Sequence, residues 1–208
     1  KNITDISQTN NDTRYLFEFL SQNQPNEIHR INGMFAFAFY NRKKTKLILS
    51  RDRFGIKPLY YSKFNNILYF ASEIKAFKNI FNFKLNKKKI IEYSVFGNIA
   101  GDETLIQGIK QVTSGTFLKI NYSLSINKHI YFDLKKTFFN SKKNSTNDDI
   151  HRALVNIVKS HTVSDVGYAT QLSGGLDSSL ITAITSINKS KNFKLHTYSV
   201  SLNNKDVD

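Results

Sequence analysis

The chain has 208 residues and a formal net charge of +14, a length that suits one domain or two. Hydrophobic residues make up 40% of it and aromatic residues 13%, which is enough for a packed core and excludes a wholly disordered chain. No residue is a cysteine. A disulfide scaffold, a zinc-thiolate site and a cysteine nucleophile are therefore excluded within these residues.

Hydropathy gives no membrane or export signal in these residues. The longest apolar stretch, residues 34–40, is far shorter than the ~18 residues of a membrane span. No basic segment followed by an apolar region opens the chain. We expect a soluble, cytoplasmic protein without a membrane partner. Because the chain runs from Lys1 to Asp208 without an initiator Met, we expect it to be an internal piece of a longer protein.

The positive charge would suit an anionic partner such as nucleic acid. However, the 30 Lys and Arg residues are spread along the chain, and aromatic residues do not alternate with them. Proteins that read nucleic acid usually carry a clustered basic face. We therefore expect no nucleic-acid partner and attribute the charge to a composition rich in Lys and Asn.

The first region predicts a helix followed by β-structure. Apolar residues on one face predict a helix over Asp12–Gln22 with Asp12 as its N-cap. Residues 34–40 are apolar at every position, which predicts a strand covered on both faces. Short polar turns indicate that this strand forms one antiparallel sheet with the next three, at residues 47–50, 59–62 and 67–71. We also expect a helix at residues 87–96 and strands at residues 116–120 and 128–131.

The second region has a different pattern. Residues 135–147 are polar and basic and predict a linker. Thr146 and Asp149 then fit a capping box for a helix whose apolar face reaches His161, which we expect to be a core or interface residue. The following elements indicate a parallel βαβ unit: strand 166–172, turn 173–177, helix 178–187 and strand 195–202.

Residues 173–179, with the sequence SGGLDSS, carry the clearest chemical motif. Two glycines let the backbone approach a phosphate, and the first amides of the next helix point into the turn. The serine hydroxyls can donate hydrogen bonds to phosphate oxygens. Asp177 would repel a bare phosphate, so it makes sense where Mg²⁺ lies between them.

Other phosphate-binding motifs do not fit this loop. It lacks the Gly-Lys-Ser/Thr of a P-loop and is not G-x-G-x-x-G. An ordinary glycine turn before a capped helix is the alternative interpretation, but the whole heptad between a strand and a helix favours an anion site.

The heptad resembles the pyrophosphate-binding loop of the ATP pyrophosphatase group, in the form found in glutamine-hydrolysing asparagine synthetases. Three earlier segments resemble the class II glutamine amidotransferase domain of the same family: RINGMFAFA at residues 30–38, RDRFGIKPLYY at 51–61 and FASEIKA at 70–76. The two signatures follow in the expected order, so the resemblance covers nearly all of the chain from Asn11 onward.

The resemblance implies an α+β domain followed by an α/β domain. Residues 1–134 would form an N-terminal-nucleophile (αββα) glutaminase-like sandwich, truncated at its N-terminus, and residues 135–147 the linker. Residues 148–208 would begin an adenine-nucleotide α-hydrolase-like parallel α/β domain. In this family glutamine supplies ammonia, and ATP with Mg²⁺ activates aspartate as an aspartyl-adenylate. Ammonia then gives asparagine and AMP. The full-length form could be a homodimer.

The family also implies roles for individual residues. Asp12, in Asn11-Asp12-Thr13, matches the Asp that binds the α-amino group of glutamine, with a plain helix cap as the alternative role. Asp177 would meet Mg²⁺ through pyrophosphate, and Val200 matches the position that touches adenine. The implied ATP and pyrophosphate site comprises Gln171, Leu172, Ser173, Gly174, Gly175, Asp177, Ser178, Ser179 and Val200.

The segment 51–61 is expected to be mostly structural. Gly55 and Pro58 would shape a turn, and Arg51 would pair with Asp52 at a strand end.

The family nucleophile is an N-terminal cysteine, so we expect no catalytic residue within these 208 residues and no activity from this piece alone.

Two alternatives to asparagine synthesis stay open. One is a related amidotransferase that acts on another carboxylate, such as a sugar acid or a β-lactam precursor. The other is a degenerate nucleotide-binding module without catalysis. No pair among the five histidines has the spacing of metal ligands.

Overall fold

This computed structural model describes residues 11–22, 25–43, 45–140 and 145–201. Contacts between Cα atoms divide the chain into two compact units, Lys1–Ser141 and Lys142–Asp208. Across the described ranges, every helix is too short or too polar to cross a membrane.

The first unit is built on two antiparallel sheets. A four-stranded sheet has the order β1-β2-β6-β7, and a three-stranded sheet has the order β4-β3-β5. The strands are β1 (Ala36–Asn41), β2 (Lys46–Arg51), β3 (Tyr60–Phe64), β4 (Ile67–Ala71), β5 (Lys110–Gln111), β6 (Thr116–Ile120) and β7 (Ile126–Ile130). The helices are α1 (Asp12–Gln22), α2 (Lys87–Phe96) and α3 (Leu134–Asn140), with short 3₁₀ turns at Pro25–Arg30 and Ile74–Phe77.

The prediction that the first four strands share one sheet is wrong. Leu49 of β2 lies opposite Ala38 of β1 on one side and Leu118 of β6 on the other. Because both edges of β2 are occupied, the next hairpin, β3–β4, cannot pair with β2. It pairs instead with β5, where Tyr61 lies opposite Lys110.

Alternating side chains of the four-stranded sheet enter two cores. On one face, Leu49 and Leu118 pack with Tyr61 of the three-stranded sheet. On the other face, Ile48 and Phe117 pack with a cluster that includes Phe19 and Leu20 of α1. The unit therefore has three layers, with α1 on one side of the four-stranded sheet and the three-stranded sheet on the other.

Strand β1 is not covered on both faces as predicted, because it lies at the edge of its sheet. Phe37 and Phe39 pack against the α1 cluster. On the opposite face, the core between the sheets reaches Ala36, while Ala38 is exposed and Tyr40 is 59% exposed. The three-stranded sheet thus covers only the start of this strand.

The predicted linker, residues 135–147, contains most of helix α3, and the division between the two compact units falls within it. The Asp133 carboxylate accepts the Lys136 amide at 3.2 Å, and the Asp133 carbonyl accepts the Thr137 amide at 2.9 Å. This capping starts a helix where polar composition alone indicated a loop. Residues 141–144 of the predicted linker lie outside the described residues.

The second unit contains α4 (Asn147–His161), β8 (Ala169–Gln171), α5 (Leu176–Asn188) and β9 (His196–Tyr198). Strands β8 and β9 pair in parallel, as the βαβ pattern predicts. Their pairing is confined to three residues on each strand, fewer than predicted, and residue 202 of the last predicted strand lies outside the described ones. His161 is exposed rather than a core residue, with Nδ1 2.9 Å from the Ile157 carbonyl oxygen.

The predicted capping box is present at the start of α4, and it gives a stability prediction. The Thr146 hydroxyl accepts the Asp149 amide at 3.2 Å, and the Asp149 carboxylate accepts the Thr146 amide at 3.0 Å. We expect Thr146→Ala to lower the free energy of unfolding of the second unit by about 1 kcal/mol. Chemical denaturation followed by circular dichroism measures it, with Thr146→Ser as the control that retains the cap.

The same box predicts a pH dependence. Hydrogen bonds from Thr146 and Arg152 hold the pKa of the Asp149 carboxyl below its usual value. A lowered pKa in the folded state stabilises the fold above the unfolded pKa, and that contribution is lost as the pH falls through the folded pKa. The stability difference between wild type and Asp149→Asn should therefore shrink below about pH 4, where the wild-type carboxyl becomes protonated. A difference that stays constant down to pH 2 would contradict the reciprocal cap.

Candidate active site

The loop at residues 173–179 is anchored where β8 ends. The Leu172 amide donates to the Tyr198 carbonyl at 2.9 Å, and the Ser199 hydroxyl donates to the Leu172 carbonyl at 2.6 Å. Strand β9 therefore fixes the point where the loop leaves the sheet. The sequence did not indicate a role for Ser199, because strand alternation does not show that its hydroxyl bonds to the neighbouring strand.

Glycine at position 174 is required by the backbone. Gly174 has φ +83°, in the left-handed region that favours glycine. No atom lies within 4 Å of the place that a Cβ would occupy there, so the space beside it is open. Gly175 is the N-cap of α5 and has no side chain to satisfy the helix amides.

Two serines brace this loop. The Ser173 and Ser178 hydroxyl oxygens lie 3.0 Å apart, and the Ser173 amide donates to Ser178 Oγ at 3.3 Å. Ser178 Oγ in turn donates to the Gly175 carbonyl at 3.1 Å. The expected contact of Ser178 with phosphate therefore competes with a bond inside the loop, which makes Ser178 a brace for the backbone in this structure.

The first turn of α5 presents free backbone donors. Its first i→i−4 hydrogen bond runs from the Ser179 amide to the Gly175 carbonyl at 3.1 Å. The preceding amides, of Leu176, Asp177 and Ser178, have no backbone acceptor among the described residues. Such amides lie at the positive end of the helix dipole, so this end of α5 suits an anion.

Asp177 is an exposed carboxylate in this first turn. In the parts of the chain that the structure describes, no three His, Cys, Asp or Glu residues converge as a metal site would require. One carboxylate beside an anion cradle nevertheless fits Mg²⁺, which is commonly held by one or two carboxylates together with substrate phosphates.

The remaining predicted nucleotide residues lie at or just after the ends of the two strands next to the loop. Gln171 is the last residue of β8 and lies opposite Tyr198 of β9. Val200 follows β9 by two residues and is 90% exposed. The structure therefore brings the strand ends and the loop together at one edge of the β8–β9 pair.

Asp12 is the first residue of α1, but it is not the helix cap, so that alternative is wrong. The Asn11 side-chain oxygen accepts the Thr13 amide at 2.9 Å and the Arg14 amide at 3.2 Å. Asn is as good an N-cap as Asp, and the residue just before the helix takes that role. The exposed Asp12 carboxylate is thus not needed for capping.

The turn after β2 is held by two charged side chains. Asp52, only 1% exposed, accepts the amides of Phe54, Ile56 and Lys57 at 3.0–3.1 Å. Arg51 donates to the carbonyls of Gly55 and Lys57 at 2.6 and 2.8 Å.

The prediction that Arg51 pairs with Asp52 is therefore wrong. Within the described residues they form no ion pair with each other. Each binds the backbone of the same turn instead. Arg51 also donates to the Val112 carbonyl at 3.0 Å, which ties the turn to the segment before β6. Arg51 and Asp52 thus have the structural role that was predicted for this segment, but their partners are backbone groups and not each other.

Comparison with known proteins assigns a family to each unit. The glutamine amidotransferase domain family matches residues 3–132. The asparagine synthase family matches residues 149–208.

Individual relatives agree with these matches. Asparagine synthetase [glutamine-hydrolyzing] 1 of Bacillus subtilis is 31% identical over 193 residues, covering 92% of this chain and 30% of the relative. Amidase chry2 of Gibberella zeae is 31% identical over 164 residues, covering 76% of this chain and 24% of the relative. The chain therefore spans less than a third of the length of these two relatives.

Among solved structures, one match is glutamine phosphoribosylpyrophosphate amidotransferase of B. subtilis, complexed with ADP and GMP. The matched region covers 92% of this chain and 39% of the amidotransferase chain. Its sequence identity is 16% and its TM-score is 0.39, which is too low to establish a shared fold. The two family matches are more specific and lie in the order in which the units occur. The chain belongs to the family of glutamine-hydrolysing asparagine synthetases.

Proposed function

We propose that this chain is part of an ATP-dependent amidotransferase that makes asparagine from aspartate with ammonia released from glutamine. The observation that carries the proposal is the loop at residues 173–179, whose left-handed Gly174 and free first-turn amides form an anion cradle at a strand end. A cradle of this kind suits a leaving pyrophosphate, and the family matches favour the same reaction.

In the proposed reaction, a carboxylate oxygen of aspartate attacks the α-phosphorus of ATP. The bond to pyrophosphate breaks and an aspartyl-adenylate forms. Ammonia then attacks the acyl carbon, asparagine is released, and AMP leaves. Negative charge builds up on the leaving pyrophosphate, so fixed donors placed there lower the barrier.

The residues of the loop would have different roles in binding the leaving pyrophosphate. The backbone at Gly174 and Gly175 leaves room for the phosphates, and the amides of Leu176 and Asp177 donate to them. The hydroxyls of Ser173 and Ser179 add donors, while Ser178 holds the loop in shape. Asp177 would hold Mg²⁺, which supplies positive charge to the departing phosphates. Gln171, Leu172 and Val200 would form the nucleotide side of the site.

The first unit would supply ammonia. We propose that residues 1–134 belong to an N-terminal-nucleophile glutaminase domain and residues 148–208 to the start of the synthetase domain. Asp12 would bind the α-amino group of glutamine, since its carboxylate is exposed and Asn11 does the capping. The nucleophilic cysteine is not among these 208 residues.

The role of Asp12 gives a prediction about glutamine affinity. In the full-length protein, Asp12→Ala should raise the glutamine KM at least tenfold, because the contact between the Asp12 carboxylate and the α-amino group of glutamine is lost. Ammonia-dependent synthesis should be unchanged. Steady-state kinetics with each nitrogen source measures this. Asn11→Ala is the matched control, because it should weaken α1 by about 1 kcal/mol without changing the glutamine KM. An unchanged KM in Asp12→Ala would remove Asp12 from the site.

ATP–pyrophosphate exchange by the full-length protein tests the overall function. Exchange that requires aspartate supports asparagine synthesis. Exchange that requires a sugar acid or a β-lactam precursor instead identifies a related amidotransferase. Absence of exchange with every acid would leave only a nucleotide-binding module and would overturn the proposal.

A further inference from the structure

A second candidate site lies in the first unit, in a cavity of about 430 Å³ between its two sheets. Its walls include Tyr61 and Lys63 of β3 and Lys110 of β5 on one side. On the other side they include Leu118 of β6 and Lys128 of β7. The volume lies within the range of about 300–1,000 Å³ that is typical of small-molecule sites.

Three solvent-exposed lysines line this cavity, each on the face of its strand that turns toward the other sheet. Tyr61 and Lys63 are two residues apart on β3 and so share a face, and Lys110 lies directly opposite Tyr61. Lys128 lies directly opposite Leu118. Since Tyr61 and Leu118 belong to the core between the sheets, the lysines lie on the faces where alternation favours apolar side chains. Polar residues at strand positions where alternation favours apolar side chains are typical of functional sites.

The charges in the cavity do not cancel. Lys110 pairs with Asp102 at 3.0 Å. For Lys63 and Lys128, no acidic side chain within the described ranges comes within 4 Å. Three ammonium groups and one carboxylate leave two positive charges facing the same space, which would favour an anion with two or more negative charges.

We propose that this cavity binds a small anion carrying phosphate groups. Its cationic side chains are all lysines, which act as point charges toward tetrahedral phosphate, whereas arginine is the usual choice for planar carboxylates. Burial raises the pKa of the Tyr61 hydroxyl, so Tyr61 remains a hydrogen-bond donor at neutral pH. Because the lysines line a cavity and not a flat face, the site suits a free phosphate compound and not a nucleic-acid backbone.

Lysine reactivity in the full-length protein tests the proposal at residue resolution. Acetylation by a water-soluble reagent, quantified by mass spectrometry, should fall several-fold at Lys63, Lys110 and Lys128 in the presence of inorganic pyrophosphate. Lys87 and Lys88, exposed on α2, should react equally with and without it, at ionic strength matched by sodium chloride. Protection by AMP as well would identify a phosphate ester as a ligand, and protection by pyrophosphate alone a free inorganic anion.

Paired variants separate this site from the loop at residues 173–179. In Lys63→Gln/Lys128→Gln, the protection of Lys110 should be lost, whereas Lys87→Gln/Lys88→Gln removes the same charge elsewhere and should retain it. No protection by either anion, or equal protection of Lys87 and Lys88, would overturn the proposal. Because the readout is the cavity lysines themselves, it does not depend on pyrophosphate binding at the loop.

Discussion

Replacing Asp177 by alanine in the full-length protein is expected to abolish ATP–pyrophosphate exchange while leaving glutamine hydrolysis within a few-fold of wild type. Asp177 is the acidic side chain in the first turn of α5, next to the free amides of the loop. In the proposed role of Asp177, its removal would leave Mg²⁺ without the carboxylate that would hold it beside the phosphates. Glutamine hydrolysis is proposed to take place in the first unit and should therefore continue. Exchange and glutaminase assays on the same preparation measure both activities.

Two further variants sharpen this result. Asp177→Asn keeps the size of the side chain but removes its charge, so it should also lose exchange. Asp148→Ala removes an acidic residue from the first turn of α4, a matched change in helix-dipole interaction away from the loop, and should retain exchange. If Asp177→Ala lost both activities equally, or if Asp148→Ala lost exchange too, the assignment of Asp177 to the synthetase site would fail.

Local patterns were sufficient to predict the elements that local interactions determine. The Thr146–Asp149 box and helix α2 appear where the sequence places them, because capping and hydrophobic periodicity act over a few residues. The loop at residues 173–179 was likewise predictable, since Gly174 must adopt a left-handed backbone between a strand and a helix.

Pairing between distant strands could not be predicted in the same way. Strand β2 has β6 as its second neighbour, 66 residues away at the Ser50–Thr116 contact. Turn residues indicate pairing only between strands that follow each other in the chain, so they do not predict this neighbour. The cap of α1 was misassigned because adjacent Asn11 and Asp12 are equally good caps, and only the backbone shows which precedes the helix. The cavity lysines were overlooked because their faces depend on which strands pair.

Replacing Asp52 by alanine is expected to destabilise the first unit by about 3 kcal/mol or more, because three backbone amides of the turn lose a buried, charged acceptor. The Asp52 backbone also connects separate segments. Its amide donates to the Phe35 carbonyl at 2.9 Å, and its carbonyl accepts the Gly115 amide at 2.8 Å. Disorder of this turn would therefore weaken the hydrogen bonds that hold the residues just before β1 and β6. Thermal and denaturant unfolding of the full-length protein measure the loss.

The chemistry of the turn also predicts the effect of a conservative change. In Asp52→Asn an NH₂ group replaces one carboxylate oxygen, so one of the amides now held by Asp52 would face a donor, and we expect a smaller but clear loss of stability. Asp102→Ala is the matched control. It removes an acidic residue whose ion pair with Lys110 is partly exposed, and such pairs contribute about 1 kcal/mol or less. Equal stability of Asp52→Ala and Asp102→Ala would show that the turn forms without the buried carboxylate, and that Arg51 alone closes it through the Gly55 and Lys57 carbonyls.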